Sequence, residues 1–254
     1  MHTMTTNWVV AGGYGGFPLM YHWRTTPDSG RPLPEELADM DRAVAYWGGG
    51  SGIRRRIEAL QQSTASLMLF LGYIPQNPHD RLGVHIGSGD EAAERACALV
   101  DSELEAGISF MNARRLLHFD AHFENILTDG RQLFFADYGL AFSTRFELTQ
   151  DEADFFDQHR TYDQCHTITH LVNWLAVALY GYEPEERKAF VHTCAQGVSP
   201  EAVPASVAAL LARYAPVAAV MGGFYRAFQQ EGRATPHPLA SIRRPGQQGS
   251  PSLA

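Results

Sequence analysis

Residues 116–143, LLHFDAHFENILTDGRQLFFADYGLAFS, constrain this chain more than any other stretch. At their centre Asp129-Gly130 is a turn dipeptide between two β-like runs, residues 125–128 and 132–136. A short antiparallel hairpin is therefore predicted. Asn125 and Asp137 then sit at the edges of the two runs and come side by side. Asp120 lies five residues before Asn125. Upstream, Val100, Leu104, Ile108 and Met111 recur at spacings of four, four and three, the stripe of an amphipathic helix ending near Arg114-Arg115. Downstream, Leu171, Trp174, Leu175, Ala178 and Leu179 trace a second strong helix, and two more are predicted around 184–194 and 204–228.

The first third has a different texture. In NWVVAGGYGGFPLMYHWR two β-prone runs, 8–11 and 19–23, flank a Gly-rich segment and predict a hairpin. A helix is predicted from Pro34 to the stop at Gly48-Gly49-Gly50, and a short one over 53–62. The apolar run 67–73 reads as a buried strand, and 75–89 as a loop. The chain is polar from Phe142 to His166, and its Pro/Gly/Ser-rich end reads as a frayed tail. The fold class is α+β: a small strand-containing part at 1–75, a mostly helical part at 76–232 and a tail at 233–254, with the boundary near 73–78.

Composition excludes several classes. The net charge of −8 gives no basic face for nucleic acid, and Arg54-Arg55-Arg56 reads as a solvated helix face. No uninterrupted run of about 18 apolar residues is present, so no membrane span is expected. The start has no basic segment followed by an apolar one, so no signal peptide is expected. Cys97, Cys165 and Cys194 are odd in number and widely spaced, which suits reduced core thiols in a cytoplasmic protein.

The spacing of Asp120, Asn125 and Asp137 points to phosphoryl transfer. One carboxylate must meet an acceptor hydroxyl and take its proton, while a side-chain carbonyl and a second carboxylate hold Mg²⁺ against the phosphates. His118-x-Asp120 with Asn125, followed by Asp137-Tyr138-Gly139, resembles the catalytic segment of the protein-kinase-like superfamily. His122, two places after Asp120, is nearer the aminoglycoside phosphotransferase and choline kinase branch. The resemblance is specific over 99–142 and looser over 67–182. It implies a bilobal fold with an abbreviated β-containing N-lobe and a helical C-lobe. It implies Asp120 as catalytic base with His122 beside it, and Asn125 and Asp137 as metal ligands. ATP or GTP with Mg²⁺ is the implied nucleotide, and a hydroxyl-bearing small molecule the implied partner. Phe70 and Tyr73 are then candidates to pack on adenine, and Gly13 and Gly15 to cover phosphates. The family's N-lobe lysine is missing, because the only lysine is Lys188. Arg24 and His22 are the candidate cations, with Glu36 or Glu58 as partner.

Three rival readings remain open at this point. Ser143, Thr144, Thr149 and Thr161 could belong to a protein-kinase activation segment, although no Ala-Pro-Glu closes it. The missing lysine suits a pseudokinase that binds nucleotide without turnover. His118-x-Asp120-x-His122 has the ligand types of a non-haem iron site, which normally lies in a β-rich fold. The acidic stretch Asp151, Glu152, Asp154 and Asp157 reads as a solvated helix face.

Overall fold

The computed structural model describes residues 1–28, 32–86, 88–232 and 234–242. Its architecture is mixed α+β, with its strands paired two by two in three antiparallel ribbons. The chain divides into two compact units. The larger holds Met1–Leu19, Tyr73–Tyr225 and the described residues from Pro236 onward; the smaller holds Met20–Gly72 and the described residues of Arg226–Thr235. The change of unit at Gly72 lies beside the expected boundary. Residues 1–19, however, group with the larger unit and not with the rest of 1–75.

The expected strand at 8–11 is instead the end of helix α1 (His2–Val10). The physical reason is packing. Met1, Met4, Trp8 and Val9 lie against the main core, and the Trp8 ring meets Phe17 at 5.8 Å and Phe110 at 5.6 Å. Such tertiary contacts outweigh the strand propensity of Trp-Val-Val. Gly12 closes the helix at φ 73°, its N–H donating to the Val9 carbonyl while Gly13 donates to Trp8, each at 3.0 Å. This is the double cap of a helix that ends on a left-handed glycine. The glycine-rich segment is thus a helix terminus and not a turn between two strands.

In the smaller unit β1 (Met20–Pro27) pairs antiparallel with a later strand, and α2 (Glu35–Ala38), α3 (Met40–Tyr46) and α4 (Ser51–Gln61) come between them. The single helix expected from Pro34 breaks at Asp39, whose side chain accepts from Arg42 N–H at 3.0 Å and starts α3 afresh. Ala43, Val44 and Ile57 form this unit's core with Leu33, Leu37, Met40 and Ile53 against them. The second strand, β2 (Ala65–Leu71), falls where expected and puts Met68 opposite Arg24. It is not buried: Leu67 is 61% exposed and Phe70 39%. A two-stranded ribbon offers two faces, and so small a core cannot cover both.

The larger unit continues with α5 (Pro78–Ile86), α6 (Asp90–Ala113), β3 (Leu116–Leu117), β4 (Ile126–Thr128), β5 (Leu133–Phe135) and β6 (Phe142–Ser143). Then follow α7 (Gln150–Gln158), α8 (Tyr162–Tyr180), α9 (Pro184–Ala195), α10 (Ala205–Gln230) and α11 (Leu239–Ile242). The predicted stripe of α6 is buried at all four positions, in one cluster with Leu133 and Phe135 of the hairpin and Leu171 and Leu175 of α8. The predicted hairpin forms in register, Ile126 opposite Phe135 and Thr128 opposite Leu133. Asp129 Oδ1 fixes its turn by accepting from Arg131 N–H at 2.8 Å and Gln132 N–H at 3.1 Å.

Two helices lie in stretches expected to be irregular. Helix α5 falls in the expected loop, and α7 in the polar segment, where Thr149 and Glu152 form a reciprocal cap. The three cysteines are buried and free, as expected. Among the described residues one helix, α10, is long and apolar enough to cross a membrane, although no such span was expected. Counting uninterrupted apolar residues missed it, because Arg213 and Pro216 break the run without lowering the average much. Its Val207, Leu210, Leu211, Tyr214 and Ala218 are in the main core. The chain beyond 233 is ordered as far as α11, with the His237 ring 5.6 Å from that of Tyr162; residues 243–254 lie outside the described residues.

Candidate functional site

The site is built on the segment between β3 and β5. Asp163, in the first turn of α8, is 1% exposed. Its carboxylate accepts from the backbone N–H groups of His118 at 2.6 Å and Phe119 at 2.7 Å. Burial pushes its carboxyl up to about 6, against the opposing pull of those two donors. The double bond fixes Phe119 at φ 63°, a left-handed conformation that a bulky residue adopts only when its surroundings impose it. The Phe119 ring is held 5.2 Å from Tyr162 and 5.7 Å from Phe155.

His118 is a latch, as expected for a structural histidine. It is fully buried, and its Nε2–H donates to the Ala136 carbonyl at 2.9 Å. Burial holds its proton affinity below the ordinary value, so the ring is neutral. The bond ties the loop carrying Asp120 to the residue before Asp137.

Asn125 joins the two halves. Its Nδ2 donates to the Asp120 carbonyl at 3.0 Å and to Asp120 Oδ2 at 2.9 Å. With the nitrogen so committed, no donor among the described residues reaches its Oδ1. The Ala136 N–H donates to the Asn125 carbonyl at 2.9 Å and extends the hairpin by one pair. Asp137 is the next residue, at φ 54°; its Oδ1 accepts from Gly139 N–H at 3.0 Å, and Oδ2 is unengaged among the described residues. His122 completes the group, with Nε2 3.5 Å from Asp120 Oδ1 and Nδ1 taking the Glu124 N–H at 3.2 Å.

These donors fit magnesium. An amide oxygen and a carboxylate oxygen, both uncommitted, stand just outside the paired strands β4 and β5, and Mg²⁺ usually takes one or two protein oxygens with phosphate and water completing its shell. Among the described residues no group of three or more His, Cys, Asp and Glu could hold a metal. The two histidines and carboxylate of the iron-site alternative do not form such a group among the described residues.

The structure puts Asp120, His122 and Asn125 in direct contact, and Asp137 directly follows Ala136, whose N–H bonds the Asn125 carbonyl. The other expected residues are divided between the two units. Gly13 and Gly15 are in the larger unit; Gly13 lies against the Phe110 ring and Gly15 near the Gln132 amide. Tyr73 opens that unit's second segment and is 88% exposed. Arg24 and Phe70 belong to the smaller unit, where the Arg24 guanidinium lies 5.4 Å from the Phe70 ring centre and Nη2 reaches Met68 Sδ at 3.9 Å. The His22 ring is 5.5 Å from the same Phe70. Lys188 is paired with Glu185 on α9 at 3.3 Å.

Sequence reasoning missed Asp163, and with it a row of rings along α8. His122 lies 5.7 Å from His170, which is 4.6 Å from His166, whose Nδ1 bonds the Tyr225 hydroxyl at 2.7 Å. Burial, with neighbouring histidines, pushes His166 down to about 3 and His170 to about 4. The only hint in the sequence was the spacing of His166, His170 and Trp174 four apart on one helix face. No protein-family model matches the chain, and no curated protein is significantly similar to it.

Proposed function

We propose that the protein is a phosphotransferase of the protein-kinase-like type that moves the γ-phosphate of ATP or GTP to a hydroxyl of a small molecule. One observation carries this reading. The Asn125 amide nitrogen is held on Asp120 while its backbone carbonyl accepts from the N–H of Ala136, the residue before Asp137, so one residue ties a candidate proton acceptor to the strand end that carries a candidate cation ligand.

Asp120 is placed to receive the acceptor's proton through Oδ1, because Oδ2 is held by Asn125. The acceptor oxygen forms its bond to the γ-phosphorus, the bond from phosphorus to the β–γ bridging oxygen breaks, and the nucleoside diphosphate leaves with that electron pair. Asn125 Oδ1 and Asp137 Oδ2 would hold Mg²⁺, which when bound neutralises phosphate charge. His118 and Asp163 keep the loop and the Asp137 strand in register while this happens. A nucleotide-binding module without turnover is the second reading, favoured by the missing N-lobe lysine, since the only lysine is Lys188 on α9.

The test is nucleotide consumption against a panel of hydroxylated metabolites. Turnover with one class of acceptor is expected, and Asp120→Ala is expected to lower it by about 10²–10⁴-fold. Mg²⁺-dependent binding without consumption on any acceptor would favour the second reading. Unchanged turnover in Asp120→Ala would refute the assignment of Asp120.

A further inference from the structure

A cavity of 440 Å³ opens in the larger unit between α5, α8, α9 and the loop that carries Asp120. His122, Glu124, His170, Asn173, Trp174 and Arg187 are in its wall. His122 is also the residue whose Nε2 lies 3.5 Å from Asp120 Oδ1, so one side chain of the wall touches the carboxylate assigned to the proton. Trp174 makes a fixed flat wall, held edge-on by His79 at 5.8 Å and by Phe123 at 6.2 Å. Aromatic surface with a few convergent polar groups is the usual make-up of a small-ligand site.

The charges in this wall are uneven in their surroundings. Glu124 is exposed to water, whereas Arg187 is half-buried. The Arg187 side chain has no hydrogen bond or ion pair among the described residues, although every charged neighbour on α9 is engaged: Lys188 with Glu185, and Glu186 with the Glu183 backbone across the helix cap. A half-buried guanidinium without a side-chain partner is a ready receptor for a carboxylate or phosphate, whose oxygens match its planar fork. His170 carries no charge at neutral pH and does not compete for an anion.

We propose that this cavity holds the phosphate acceptor and that Arg187 selects acceptors carrying an anionic group, a carboxylate or a phosphate, at the end away from the reacting hydroxyl. The proposal rests on the phosphotransferase reading for the role of Asp120. Asn173 and His170 would meet the acceptor's other hydroxyls, and Trp174 its carbon face.

The test uses the full chain without nucleotide and four probes of one six-carbon skeleton: gluconate, sorbitol 6-phosphate, sorbitol and glucamine. Calorimetric titration should show at least one of the two anions binding about tenfold or more tighter than sorbitol, with glucamine weakest. Arg187→Gln should abolish that preference, Arg187→Lys should keep part of it, and Arg187→Glu should turn it toward glucamine, an inversion that misfolding cannot produce. Equal binding of sorbitol and both anions, no binding by any probe at millimolar concentration, or an anion preference that survives in Arg187→Gln overturns the proposal. Binding of Mg–ATP by the native chain is measured in parallel. Mg–ATP binding without an anion preference defeats the pocket assignment alone. An anion preference without Mg–ATP binding defeats the phosphotransferase reading, and the acceptor role with it.

Discussion

Asp163 holds the site loop through two backbone N–H groups, and its replacement has a calculable cost. Asp163→Ala leaves the N–H groups of His118 and Phe119 buried without an acceptor. Each such orphan costs about 1–3 kcal/mol, so a loss of about 2–6 kcal/mol is expected at pH 7. Asp163→Asn keeps one acceptor oxygen and removes a buried charge, so about half that loss is expected. The pH dependence gives a second handle. His166 at about 3 and His170 at about 4 lie below their unfolded values, so from about pH 6 to 5 these two rings hold nearly two protons in the unfolded chain that they do not hold in the folded chain. Asp163, raised to about 6, acts in the opposite direction and is protonated in the folded chain first. The native protein should therefore lose about 1.4 kcal/mol on going from pH 6 to pH 5, and Asp163→Asn about 1 kcal/mol more over the same interval. Urea unfolding followed by tryptophan fluorescence at both pH values reads both quantities. Asp163→Ala within about 0.5 kcal/mol of the native protein would refute the argument. So would equal pH slopes in the native protein and Asp163→Asn.

Gly107 of α6 has no room for a methyl group, because a Cβ there would lie 2.0 Å from Phe135 Cε2. Gly107→Ala should cost about 1–3 kcal/mol in chemical unfolding, and Phe135→Leu in the same chain should recover part of it; independent, additive losses would count against the close packing. His118→Phe should remove the donor to Ala136 and destabilise the protein by about 1–3 kcal/mol, with faster amide hydrogen exchange at Ala136 and Asp137. Unchanged exchange at those two amides would show that the latch does not tie the loop to the hairpin.

The parts legible in the sequence were those set by local chemistry. Asp129-Gly130 announced its hairpin through turn chemistry, and the α6 stripe announced its buried face through a period that only a helix produces. Asn125 and Asp137 could be placed at the two ends of one hairpin because the tight turn at 129–132 leaves little freedom to either strand. What failed depended on distant partners. Trp8-Val9-Val10 has strand propensity, and only the Phe17 and Phe110 rings, far along the chain, make it helical. Gly16 illustrates the same limit: its carbonyl accepts from Phe135 N–H at 2.9 Å, and a Cβ there would lie 2.6 Å from the Leu133 carbonyl. Its purpose is close approach to β5, which no turn rule reveals. Asp163 and Arg187 were invisible for a related reason. A carboxylate and a guanidinium look alike in every polar helix turn until burial and partners distinguish them.

The central claim is that Asn125 and Asp137 present oxygen ligands to a nucleotide-bound divalent cation beside Asp120. Electron paramagnetic resonance with Mn²⁺ in place of Mg²⁺ tests it most directly. The account predicts one tightly held Mn²⁺ per chain only when ATP or GTP is present, with a line shape altered in Asn125→Ala and the bound signal lost in Asp137→Ala. A nucleotide-independent signal, or an identical spectrum in both variants, would contradict it.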